Sequence, residues 1–216
     1  MNSIPIHVLW RFRVRQDGSF IVLPDGCEDL LLLEYPDSRR SLTMASRDLG
    51  PRPVQLRAGL VLTGYRLRPG VPLPTDEVPH LRPEPDEIVA FIHSLSGGDA
   101  ERYEIIDALA GETASMTGTA RSAGVSLRTL QRIFRRWGLP SPDYWRLLGR
   151  ARRAALSLSQ APSLVELALD TGYSDQAHLS REFVRWFGKT PSQLRQSPFL
   201  LDSLAQPGLG NWIVRS

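Results

Sequence analysis

The feature that most constrains this chain is a pattern that occurs twice in its C-terminal half. From Ser115 to Trp137 the sequence reads as a short helix of small residues, a turn at Gly124, Ser126 as a cap, and a second helix. From Ser163 to Phe187 the order returns, with Ser163-Leu-Val-Glu166 as a capping box, a turn at Gly172 and Ser174 before the next helix. In the first copy Leu127, Leu130, Ile133 and Phe134 form an apolar stripe at helical period; in the second it is Leu179, Phe183, Trp186 and Phe187. Arg128, Gln131, Arg132 and Arg135 lie off the first stripe, and Gln176, His178, Arg181 and Arg185 off the second. A short helix with an Arg/Gln/His face, entered through a glycine turn, suits a DNA major groove. One such stretch fits an ordinary surface helix equally well. Two copies, with Gly124 and Gly172 48 positions apart, favour the groove reader.

The segment between the copies reads as one rod. Ser141-Pro142-Asp143 combines a cap, Pro in the first turn and an acid near the helix dipole. The helix is expected to run to about Leu158 and to end before Pro162. Roughly 17 residues at ~1.5 Å each give ~25 Å. Such a rod suits two recognition helices placed about one DNA turn apart, ~34 Å. Arg146, Arg150, Arg152 and Arg153 lie on or near it, equally suited to touch phosphates or to pair with acidic neighbours.

Charge is divided along the chain. Residues 116–196 hold 13 Lys+Arg and 5 Asp+Glu, about +8, and the rest hold 13 basic and 18 acidic groups, about −5. A basic half beside an acidic half points the basic one at a polyanion. Arg outnumbers Lys 25 to 1, which genomic base composition explains more simply than function.

The N-terminal part reads as short strands. Trp10, Phe12 and Val14 alternate with Arg11, Arg13 and Arg15, a period of two. Further runs are 20–23, 30–35, 41–45, 54–56 and 60–67, broken by turn signals such as Pro24-Asp25-Gly26 and Arg68-Pro69-Gly70. Close-spaced strands of this kind form a small antiparallel sheet or barrel. His7 and His80 are its only histidines and have no metal-ligand spacing, so no metal is expected. Asp25, Glu28 and Asp29 around Cys27 read as a polar turn, not a catalytic site. Six prolines between Pro69 and Pro85 exclude a helix or central strand and suggest a semi-rigid connector. Beyond it, Asp86–Leu95 reads as a helix ended by Gly97-Gly98, and Asp99 as the cap of another, Ala100–Ala110.

Cys27 is the sole cysteine, so neither an internal disulfide nor a cysteine-based zinc site is expected. That fits a reducing cytoplasm. No apolar run approaches ~20 residues, and the N-terminus lacks the pattern of a secretory signal. A cytoplasmic protein without a membrane partner is expected.

Residues 101–196 resemble the AraC/XylS family of bacterial transcription regulators. The resemblance is carried by Gly172-Tyr173, Ser174–His178, Leu179, Arg181, Phe183, Arg185–Phe187, Gly188 and Pro191. Upstream it is carried by Ala120, Ser126, Leu130 and Arg132, and on the rod by Arg150 and Ala154. It implies two helix-turn-helix units joined by a linker helix. Base-reading positions would be Arg128, Gln131 and Arg132 in one unit and Gln176, Ala177, His178 and Arg181 in the other. Arginines suit guanine O6/N7 and glutamines suit adenine. Ser126, Ser174, Arg185 and Lys189 would contact phosphates. The first unit departs from the family in its leading helix, where Gly118, Thr119 and Ala123 replace larger residues. A less stable or differently docked unit is expected.

The segments 22–30 and 64–70 resemble, more weakly, the short degenerate cupin-like domain of some family members, which implies effector sensing or dimerisation. The expected fold is thus α+β: a small antiparallel cupin-like domain (1–70), a Pro-rich linker (71–85), an all-α domain with two helix-turn-helix units (86–196) and a tail (197–216). The expected function is sequence-specific binding of double-stranded DNA in transcription regulation, without a catalytic site or cofactor. A small-molecule effector, a homodimer and RNA polymerase are the further partners this implies. The alternative is a cupin-like small-molecule binder or enzyme whose helical half binds a protein. It predicts clustered His/Glu ligands, which the sequence lacks.

Overall fold

The structure is a computed structural model that describes residues 4–95, 100–112 and 114–212. Six strands come first: β1 (His7–Arg13), β2 (Gly18–Val22), β3 (Asp29–Glu34), β4 (Arg40–Ala45), β5 (Arg52–Leu56) and β6 (Val61–Leu67). They form a four-stranded antiparallel sheet in the order β1-β6-β3-β4 and a separate β2-β5 pair. The alternation in β1 holds, with Leu9, Arg11 and Arg13 exposed and Trp10 and Phe12 half-buried. Trp10 lies opposite Gly64 on β6, and a Cβ there would sit 2.0 Å from the indole. The missing side chain admits the ring, whose Nε1–H donates to Asp29 at 2.8 Å.

One face of the sheet is covered by the segment expected to be a semi-rigid connector between domains. Val71, Leu73 and Val78 of the proline stretch pack on Leu30, Leu32, Tyr65 and Leu67. Ile88, Phe91 and Ile92 of α1 (Pro85–Ser94) complete that core. Their i, i+3, i+4 spacing is one helical stripe. The prolines do not exclude a helix altogether, since a 3-10 turn forms at Val78–His80 with Pro in its first turn. The stretch folds against the sheet, and the helix after it covers the sheet instead of joining the helices that follow. Gly97, Gly98 and Asp99, expected as a helix stop and a cap, lie outside the described residues.

The remaining helices are α2 (Ala100–Ala110), α3 (Met116–Ser122), α4 (Leu127–Arg136), α5 (Pro142–Ser157), α6 (Leu164–Asp170), α7 (Gln176–Phe187), α8 (Pro191–Arg195) and α9 (Pro198–Ala205). Their core is built around α5, which buries Trp145, Leu148, Ala151, Ala154 and Ala155. Gly149 lets α2 cross closely, since a Cβ there would lie 2.7 Å from Ala110 Cα. Among the described residues no helix is long and apolar enough to cross a membrane.

The tail packs on both halves. Leu200, Leu204 and Leu209 enter the α5 core. The Leu209 amide donates to Asp25 O at 2.8 Å, Arg66 Nη1 to Pro207 O at 3.1 Å and Trp212 Nε1 to Pro5 O at 2.8 Å. Asp25, Glu28 and Asp29 are held here by structural partners. Arg66 lies 3.0 Å from Asp25 and 3.1 Å from Asp29, and Arg47 lies 3.4 Å from Glu28. Burial raises the Asp29 carboxyl above its ordinary range, against the pull of Arg66.

Candidate nucleic-acid interface

Both expected helix-turn-helix units are present, and their turns match bond for bond at a spacing of 48. In the first, the Gly124 amide donates to Arg121 O and Val125 to Ala120 O; in the second, Gly172 donates to Leu169 O and Tyr173 to Ala168 O. Gly124 (φ 66°) and Gly172 (φ 75°) occupy the left-handed conformation that these turns need. Ser115 accepts from the Gly118 amide at 2.9 Å, so Gly118 sits in the first turn of α3 under its cap. A Cβ at 118 would lie 2.7 Å from that hydroxyl. The small residues of this unit accompany an open hollow of about 440 Å³ lined by Thr117, Ala120, Arg121, Gly124, Val125, Ser126 and Leu127.

The register then changes by one. Ser126 caps α4, accepting from Thr129 N at 3.2 Å. Ser174, at the equivalent place, does not cap α7. That role falls to Asp175, whose Oδ1 accepts from the His178 amide at 2.7 Å. This bond, the largest cause, holds the Asp175 carboxyl below its ordinary range. The extra residue shifts the helices to a spacing of 49: Leu130 matches Leu179 and Phe134 matches Phe183, all fully buried. Leu127, expected in the first apolar stripe, is 40% exposed, because it occupies the helix-start position that Gln176 holds in α7. Ser163 accepts from Glu166 N at 3.1 Å as expected. The full reciprocal capping box occurs at α8, between Thr190 and Gln193.

The sequence-predicted base readers lie on the outer faces of α4 and α7. Arg128, Gln131, Arg132, Gln176, Ala177 and Arg181 are exposed, and His178 is half-buried. Of the phosphate candidates, Ser126 and Ser174 are exposed but bonded within their own turns. Arg185 is exposed, stacks over Trp186 at 5.0 Å and pairs with Glu182 at 3.4 Å. Lys189 is half-buried and follows Gly188, where a Cβ would lie 3.2 Å from Pro51 of the β half.

The rod arginines hold the fold together. Arg150 donates to Gly172 O at 3.1 Å and covers the Tyr173 ring at 4.2 Å. Burial raises the Tyr173 phenol to about 12 despite that guanidinium. Arg153 donates to Ala110 O at the end of α2. Arg146 pairs with Asp143 at 2.6 Å. Arg152 is fully buried on carbonyls of the tail. Of the two roles open to these residues, only Arg146 meets an acid; the other three bond to carbonyls.

Two contacts were not foreseen. The Tyr144 hydroxyl donates to Asp48 O at 3.2 Å, and Pro51 approaches Gly188 at the C-terminal end of α7. The first ties the β4–β5 loop to the start of α5, where Tyr144 also packs edge-on against Trp186 of α7, and the second ties it to the end of α7. Only the Pro and Gly at 50–51 hinted at a compact turn there.

Comparison with known proteins agrees with this geometry. A family described as "Helix-turn-helix domain" matches residues 119–197. The HTH-type transcriptional regulator GlxA of Rhizobium meliloti is 45% identical over 82 residues, 37% of this chain and 25% of that protein. A crystallised transcriptional regulator from Chromobacterium violaceum, titled as AraC-type DNA-binding domain-containing, is 31% identical across 49% of this chain and 89% of its own, with a TM-score of 0.38. Residues 119–197 thus form a helix-turn-helix domain of the kind carried by AraC-type regulators. The F1 operon positive regulatory protein of Yersinia pestis is a further relative, 36% identical over 78 residues, 36% of this chain and 26% of that protein. The chain thus spans about a quarter of the length of these two curated relatives.

Proposed function

We propose that this protein is a sequence-specific DNA-binding transcription regulator whose α4 and α7 enter successive major grooves. The observation that carries the reading is the repeated turn geometry, which sets two outward Arg/Gln/His faces on helices packed against one rod. At 16 residues and ~1.5 Å per residue, the rod is ~24 Å long, of the order needed to serve two grooves. Arg128, Arg132 and Arg181 suit guanine, and Gln131 and Gln176 suit adenine. Ala177 suits a thymine methyl, Arg185 and Lys189 suit phosphates, and the Ser126 turn suits a phosphate at the start of α4. The β half takes a controlling part, through a small-molecule effector or a homodimer, by way of its seat on α5 and the end of α7. RNA polymerase is the further partner, in the cytoplasm of a bacterium.

The test is affinity for duplex DNA as a function of salt. A protein that neutralises several phosphates loses affinity steeply, with a slope of about −0.9 per phosphate. Absence of binding at low salt would overturn the reading, and binding that does not fall with salt would remove its electrostatic basis.

A further inference from the structure

One side chain on the outer face of α7 is held in a fixed orientation by its own turn. His178 is the third residue of the helix. Its Nδ1 lies 3.1 Å from Ser174 Oγ and 3.5 Å from the Ser174 backbone nitrogen. A backbone N–H only donates, so Nδ1 presents a lone pair and the ring proton resides on Nε2. The Ser174 hydroxyl lies between two acceptors, Nδ1 at 3.1 Å and Asp175 Oδ2 at 3.4 Å, and holds the ring beside the backbone N–H. Tyr173 braces the ring edge-on, with centroids 5.2 Å apart and planes at 88°. Tyr173 is itself clamped under Arg150. Nε2 bonds to nothing among the described residues.

We propose that His178 offers this single uncharged Nε2–H to the N7 acceptor of one purine, with Ser174 as the positioning residue that sets the tautomer instead of a phosphate contact. The inference rests on the DNA-binding reading above. A phosphate is bound best by charged donors, which α7 supplies in Arg181 and Arg185. A lone neutral donor in the first turn of a recognition helix is suited to a base edge. Guanine and adenine both present N7 in the major groove. The position read by His178 therefore accepts either purine, unlike one read by a bidentate arginine.

The full chain is used to select its site from random duplexes, and each purine of that site is then replaced singly by its 7-deaza analogue. One position should select purines of both kinds, and the analogue there should weaken binding about five- to tenfold, the effect of one net hydrogen bond. In H178A that penalty should vanish. In S174A it should shrink, and S174T, which keeps a hydroxyl, should restore it. Long-range nitrogen–proton spectra of the free protein should show His178 protonated at Nε2. A spectrum with Nδ1–H, or a 7-deaza penalty that H178A leaves unchanged at every purine, overturns the proposal while DNA binding stands. Failure to bind any duplex overturns the functional reading itself.

Discussion

Replacing Arg152 by Met should release the C-terminal segment while the rest of the fold persists. Arg152 is 1% exposed. Its Nε donates to Leu209 O at 3.0 Å, and its Nη2 faces Leu204 O at 3.1 Å, Gln206 O at 3.3 Å and Asn211 Oδ1 at 2.9 Å. Nη2 carries two protons for three acceptors, so the group makes about three full bonds. At ~1.5–3 kcal/mol for a bond from a charged donor, they contribute ~5–9 kcal/mol. Burial of Leu209 and Trp212 adds ~1.5–3 kcal/mol each, ~3–6 kcal/mol together. Ordering Gln206–Trp212 opposes this by ~1–2 kcal/mol per residue, ~7–14 kcal/mol in all.

Without the guanidinium the segment therefore sits near or below balance and detaches. Detachment lets its carbonyls reach water, which limits the global loss to about 3–5 kcal/mol, the scale for breaking a buried polar assembly from one side. Limited proteolysis with mass spectrometry should show cleavage within 206–212 under conditions where the unsubstituted protein resists, and urea unfolding should show the loss. R152K should fall between, because an ammonium cannot reproduce the fork. If R152M kept the segment protected and lost under about 1 kcal/mol, the assignment of Arg152 as its anchor would be refuted.

Gly149→Val should separate α2 from α5, since its Cβ would meet Ala110 Cα at 2.7 Å. A loss of about 2–3 kcal/mol in urea unfolding is expected. Asp175 has a folded pKa below its ordinary 3.8, so its cap stabilises the protein above that value and is lost as pH falls through the depressed one. Hydrogen exchange at the His178 amide should accelerate across that window in the unsubstituted protein, and D175A should abolish the pH dependence. Arg181→Ala should weaken DNA binding by ~1–3 kcal/mol and relax selection at one base pair. Equal weakening on all sequences would make Arg181 a phosphate contact.

What the sequence made legible follows periodicity and punctuation. All six expected strands exist, and the alternation of Trp10, Phe12 and Val14 marks the buried side of β1. Both glycine turns were readable because a left-handed residue leaves little choice but glycine. The readings that changed were those that depend on what an element packs against. Ile88, Phe91 and Ile92 announced an apolar stripe but not its partner, which is the sheet. Ser174 and Asp175 are both good caps, and only the buried position of Leu179 decides where α7 begins. The carbonyl partners of Arg150, Arg152 and Arg153 carry no residue signature, so no sequence pattern separates such arginines from phosphate-binding ones.

That last point alters the electrostatics of the helical half. Of the 13 basic residues between 116 and 196, Arg146, Arg150, Arg152, Arg153 and Arg195 are engaged within the chain, Arg195 by donating to Leu158 O at 2.9 Å. Arg185 shares its charge with Glu182. The cations that make no ion pair or hydrogen bond among the described residues are Arg121, Arg128, Arg132, Arg135 and Arg136 beside the first turn, against Arg181 and Lys189 beside the second. The two units are therefore unequal in a way that their matching turns conceal. The first borders the open hollow and carries most of the free positive charge, which suits affinity for the backbone irrespective of sequence. The second has the deeper core in Leu179, Phe183, Trp186 and Phe187, a braced histidine and a seat for the β half, which suits discrimination. A signal received by the β half would reach α7 through Tyr144–Asp48 and Pro51–Gly188, and so would act on specificity before it acted on charge.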